Sequence, residues 1–178
     1  MKTTHFFAAV VLLIGLLNFS CNKEEDNGDS FINFAVSGPL MNGDFEIRQR
    51  KNQDFGLANG FVIPADGNTV ESVIITFQDE SLSLLASMAL PARSGMTELL
   101  FDDPHHLTIS QTTEESVILA SKMVSMNVTK FKKRSISISP IGTMDMTGNF
   151  DGIMVWVDSS TGEEYTHTIT GRFVFNGV

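Results

Sequence analysis

The stretch FDDPHHL sets Asp102, Asp103, His105 and His106 side by side, two carboxylates and two imidazoles of the kind that bind divalent metals. Pro104 imposes a turn between the pairs, and adjacent histidines in an extended segment point apart. No other histidine is placed by the sequence to complete a coordination shell, so the simpler reading is a solvated loop, and no cofactor is expected. Met144 and Met146 form a Met-x-Met pair of the type that holds Cu(I), with Met123 and Met126 upstream. Alternation along a strand puts 144 and 146 on one face, where thioethers more often fill irregular core space.

Hydrolytic signatures are missing. No Gly-x-Ser-x-Gly occurs, and Ser94-Gly95 lacks the strand-to-helix setting of a nucleophile elbow. The acid pairs Glu114-Glu115 and Glu163-Glu164 adjoin turn signals, where solvation accounts for them without glycosidase chemistry. Lys130, Lys132, Lys133 and Arg134 are the one basic cluster of the body. It suits lipid phosphates or an anionic glycan, or simply guards an exposed hairpin tip or strand edge.

A ligand or partner surface is the remaining class of site. Met154 and Trp156 share one face of a strand whose other face carries Ile153, Val155 and Val157. Either that strand is covered on both sides, or Met154 and Trp156 line a contact surface together with Tyr165 and His167 of the following strand.

These residues sit in a chain whose dominant period is two. Val73, Ile75 and Phe77 alternate, QDES supplies a polar turn, and Leu82, Leu84, Ala86, Met88 and Leu90 alternate after it, which predicts a hairpin. SVILA, MVSMNVTKF and RSISISP read as further strands, with Lys130 to Arg134 as the turn between the last two. MDMTGNFDGIMVWV and EYTHTITGRFVF flank DSSTGE and predict a long terminal hairpin. The expected fold is all-β, a single antiparallel β-sandwich or β-barrel-like domain over residues 31–178. At 178 residues and 42% hydrophobic composition the chain suits one core, to which fourteen Phe give most of the aromatic mass. The net charge is −9, and nucleic acid is not an expected partner because phosphate backbones repel such a surface.

Ahead of that domain, MKTTH and the twelve residues FFAAVVLLIGLL have the form of a signal peptide, too short for the roughly 20 apolar residues of a spanning helix. The single cysteine, Cys21, follows at the end of the leader behind Ser20, and one cysteine excludes an internal disulfide. Apolar run, small residue, then Cys resembles the lipobox of bacterial lipoproteins. That resemblance implies cleavage after residue 20 and covalent lipid on Cys21; ordinary signal cleavage, an uncleaved anchor or a buried structural Cys are the alternatives. Asn22 to Ser30 has no apolar residue and reads as a flexible tether, 21–30 with the cysteine, reaching at most about 30 Å. Its KEED stretch is similar to the acidic export tag of lipoproteins in Bacteroidetes-type bacteria, which implies an outer-membrane anchor facing the exterior. In the terminal hairpin, Gly148-x-Phe150 and Ile169-Thr170-Gly171-x-Phe173 resemble the closing strands of small lipoproteins of that group. The expectation is a lipid-anchored, non-enzymatic surface module with a protein or glycan partner, the alternatives being a calycin-like carrier of a small hydrophobic ligand and a degenerate hydrolase.

Overall fold

The computed structural model describes residues 28–49, 58–65, 70–100, 102–112, 116–134 and 143–177. The leader, Cys21, Glu114-Glu115 and Ser135 to Pro140 lie outside the described residues. Among those described there is no helix. The elements are β1 (Ser30–Ser37), β2 (Gly43–Gln49), β3 (Ala58–Ile63), β4 (Ser72–Asp79), β5 (Leu84–Pro91), β6 (Gly95–Leu100), β7 (His106–Thr112), β8 (Ser116–Arg134), β9 (Thr143–Val157) and β10 (Glu164–Asn176). They form one antiparallel sheet in the order β2-β1-β10-β9-β8-β7-β5-β4-β3, with β6 also paired to β8. The expected all-β antiparallel fold is what forms, as one sheet curled into a half-barrel.

The hinge of the curl is β8. One edge runs the length of β9. Its other edge pairs with β7 over Ser116–Ala120 and with β6 over Met123–Val128. The partner changes where the β8–β9 register slips between Ser121 and Met123, leaving Lys122 as an extra residue. Gly152 faces this irregularity opposite Val124, with φ +152° and no room for a side chain: a Cβ there would lie 2.2 Å from the Met123 carbonyl oxygen. Bulge and glycine together bend the sheet, so β3 comes to touch β9 and Phe77 meets Phe175 edge-on at 6.4 Å.

Between the layers lies a core of Ile32, Phe77, Met88, Leu107, Phe150 and Phe173 among others, all essentially inaccessible. The glycine–phenylalanine spacing of the terminal hairpin now has a cause. Gly148 lies opposite Phe173 and Phe150 opposite Gly171, and each ring covers the facing glycine so closely that a Cβ would come within 2.7 Å and 2.6 Å of it. Phe175 covers Gly60 of β3 in the same way, at 2.6 Å. Rings laid across bare backbone let the two layers approach and fill the interior.

Two expectations change. Lys130 to Arg134 are not a turn but the last residues of β8, which runs unbroken from SVILA through MVSMNVTKFKKR. Leu82 belongs to the polar turn and is exposed, whereas Leu84, Ala86, Met88 and Leu90 alternate into the core as expected. Met144, Met146 and Met126 are fully buried core residues, while Met123 is half exposed.

Candidate functional site

Antiparallel register brings the four sequence candidates together. Met154 pairs with His167 and Trp156 with Tyr165, on the face of the β9–β10 ladder that carries Phe150 and Phe173. Met154 and His167 are fully buried, and Val155 on the opposite face is 4% exposed, so the strand is covered on both sides there. Trp156 and Tyr165 are only half-buried, with ring centroids 5.4 Å apart and planes tilted by 55°. Two layers result, a closed one below and an aromatic rim above.

His167 is held at both ring nitrogens. The Leu40 N–H donates to Nε2 at 3.2 Å, and Nδ1 lies 3.2 Å from the Tyr165 carbonyl, which can only accept. The imidazole is therefore neutral, with its proton on Nδ1. Burial lowers its pKa from the ordinary value, opposed by the bond to the Tyr165 carbonyl. Gly38 lies flat on the ring, where a Cβ would come 2.1 Å from Cδ2. The β1–β2 loop is thus pinned over the strand by a residue 127 positions away, and Leu40 remains partly exposed beside the rim.

A turn stiffens the other side of the rim. Asp158 Oδ1 accepts from the Ser160 N–H and hydroxyl and from the Thr161 N–H, and its pKa falls chiefly through the Ser160 hydroxyl. The Tyr165 hydroxyl donates to Glu163 Oε2 at 2.9 Å, the leading cause of its raised pKa. Half-buried aromatic faces bordered by fixed carboxylates can stack on a sugar ring or an aromatic side chain and accept its hydroxyl or N–H groups.

The FDDPHH group does not converge. Asp103 Oδ1 accepts the His105 N–H at 2.9 Å, His105 Nε2 lies 3.1 Å from the Ser72 hydroxyl, Asp102 is exposed, and His106 opens β7 opposite Ala89 of β5. Among the described residues no cluster of three His, Cys, Asp or Glu side chains is placed to hold a metal ion. One open cleft of about 430 Å³ borders Asp79, Glu80 and Ser110, and another of about 310 Å³ lies over Asn33, Phe45 and Gly171; neither includes Trp156 or Tyr165.

Sequence reasoning missed the Gly38–Leu40 loop, because Gly-Pro marks a turn but not what the turn rests on. It also missed an outward row in which Leu100, Met123 and Ile153 align across β6, β8 and β9, the first two exposed. Comparison with known proteins brings no match, whether by family model, curated protein or solved structure.

Proposed function

We propose that this chain is a lipid-anchored, non-enzymatic module of the outer membrane, displayed at the cell exterior, that presents the Trp156–Tyr165 rim to a protein or glycan partner. The observation that carries this reading is the polarity of the fold. The tether joins β1 beside the end of β10, where Asn176 Nδ2 donates to the Asp29 carbonyl and Phe31 pairs with Val174. Tyr165 lies nine residues further up β10, about 30 Å along the strand at the usual rise. An anchor on Cys21 therefore leaves from one end of the ladder and the aromatic rim occupies the other. Phe150, Phe173 and Phe175, laid on facing glycines, occupy the space between the described strands, which favours an external contact over the enclosed cavity of a calycin-like carrier.

Anchoring is tested by cell fractionation of Cys21→Ala, which should move from the membrane to the soluble fraction; retention would sink the lipid anchor. Protease added to intact cells should digest the parent protein, and protection would sink display at the exterior. The rim has its own reporter, since Trp156 and Tyr165 are the single Trp and the single Tyr of the chain. Titration with envelope glycan fractions or envelope proteins should shift Trp156 emission, and Tyr165→Ala should weaken the response at least tenfold. A response unchanged in Tyr165→Ala would move the contact elsewhere.

A further inference from the structure

The basic residues of this acidic chain are segregated. Arg48, Lys130, Lys132, Lys133, Arg134 and Arg172 all lie in the half of the sheet where the tether enters, and the remaining described bases are Arg93 and Lys122. Alternation fixes which way they face. The Phe131 side chain packs on the core, so Lys130, Lys132 and Arg134 point outward from β8; Phe173 and Ile47 face inward, so their neighbours Arg172 and Arg48 point outward from β10 and β2. Register lines them up: Arg48, Phe31, Val174, Thr147 and Lys130 are successive partners across five strands, a row about 19 Å wide at the usual interstrand spacing.

The guanidinium groups of Arg48 and Arg172 sit over the outward ring of Phe31, at 4.7 and 5.1 Å. Arg134 pairs with Asp145, Lys133 reaches Glu71, and Arg48 meets Glu46 and Asp29. Lys130 and Lys132 have no ionic partner among the described residues. Guarding a free strand edge explains lysines on β8 alone. It does not explain the outward guanidinium groups of Arg172 on β10 and Arg48 on β2, strands joined to each other through β1.

We propose that this outward face docks on an anionic lipid bilayer, the one that carries the chain's own anchor. Which bilayer that is rests on the lipid-anchor reading above; the surface itself does not. Two features choose a bilayer as the occupant. The chain enters the fold within this face, with Asp29 at 3.9 Å from Arg48, and the segment from Cys21 to Gly28 spans at most about 25 Å, so a membrane at Cys21 lies within reach. The outward cations spaced along one row of the sheet also match an array of lipid phosphates, with the Arg48 and Arg172 guanidinium groups laid over the buried Phe31 ring. Charge elsewhere is acidic and repelled by such a surface, which orients the domain with the aromatic rim outward.

Every contact described above lies among residues from Gly28 on, so a chain beginning at Asn22 keeps them all and tests docking without the lipid. Its sedimentation with phosphatidylcholine vesicles and with vesicles containing about one-third phosphatidylglycerol is the measurement. Binding should appear only with the anionic vesicles and fall steeply with salt. Lys130→Gln combined with Lys132→Gln should weaken it about thirtyfold, from roughly one unit of surface attraction per lysine, while the melting temperature stays that of the parent. Arg93→Gln combined with Lys122→Gln should leave binding unchanged. Absence of anionic preference at low salt, equal loss in the two double variants, or equally tight binding to soluble polyphosphate would each overturn the proposal. None of these outcomes bears on whether Cys21 carries lipid, which the Cys21→Ala fractionation decides separately.

Discussion

The two ends of the β9–β10 ladder bury a polar group in opposite ways. At the far end His167 is completely covered yet neutral, its two nitrogens spent on a loop N–H and a strand carbonyl. At the tether end Asp145 is 6% exposed and carries charge, with the Arg134 guanidinium 2.8 Å from both its oxygens. Only Oδ2 receives a proper hydrogen bond, and Oδ1 has an ionic contact without one. The first end holds a loop down by geometry and is sensitive to protons. The second is tied across the ladder by an ion pair that water partly screens, since Arg134 is half exposed.

A glycine test separates the ends most strongly. Gly148→Ala puts a Cβ 2.7 Å from the Phe173 ring and 2.8 Å from the Asn127 carbonyl oxygen, in a ladder where neither can retreat. The expected cost is about 3 kcal/mol, near the top of the overpacking range, read as a drop in the denaturation midpoint. Gly38→Ala makes a closer clash, 2.1 Å from His167, but against a loop that can lift. That change should cost about 1.5 kcal/mol, mostly the Leu40–His167 bond, and should raise hydrogen exchange at Leu40 ahead of global unfolding. Equal costs would mean that the loop is as fixed as the ladder.

The ion pair gives the next effect. Arg134→Met strips Asp145 of its counter-charge and should destabilise by about 2 kcal/mol, below the figure for a fully buried pair because Arg134 is solvated. Adding Asp145→Asn should recover most of that loss, since the amide carries no charge to desolvate. If the double variant is no more stable than Arg134→Met, Asp145 is better hydrated than its burial implies.

Much of this was legible in the sequence, and the failures have a physical pattern. Period-two alternation located the Ser72–Pro91 hairpin and the terminal pair because one face of each strand is buried against the core. Met154, Trp156, Tyr165 and His167 could be grouped because a tight hairpin makes their register local. Lys130 to Arg134 were misread as a turn since composition reports solvation and not backbone geometry; beyond the last described pair with β6 all but Phe131 of these side chains are exposed, and a strand can be as polar as a loop there. The same segment hid the basic face, whose other members, Arg48 and Arg172, join it only through pairing across five strands. The four residues of FDDPHH are adjacent in sequence yet do not converge on one point: Asp103 stays with His105, whose Nε2 turns to Ser72, while His106 joins β7 opposite Ala89.

The smallest effect tests the far end through pH. In the unfolded chain His167 titrates near 6.5, whereas in the fold its pKa is lowered by burial. Between those two values the unfolded chain holds a proton that the folded one does not, so stability falls as pH drops below about 6.5 and levels off once the folded form is also protonated. The loss should be comparable with one neutral hydrogen bond, about 1 kcal/mol, because protonated Nε2 can no longer accept from Leu40. Asp79 and Asp158, lowered chiefly by the hydroxyls of Ser81 and Ser160, contribute stability that is lost only as pH falls below their ordinary value of 3.8, so the two windows do not overlap above that point. His167→Gln should flatten the denaturation midpoint between pH 6.5 and 4, leaving the acid limb below it intact. A slope unchanged in His167→Gln would place the proton elsewhere, and with it the idea that the loop over the far end answers to pH while the tether end does not.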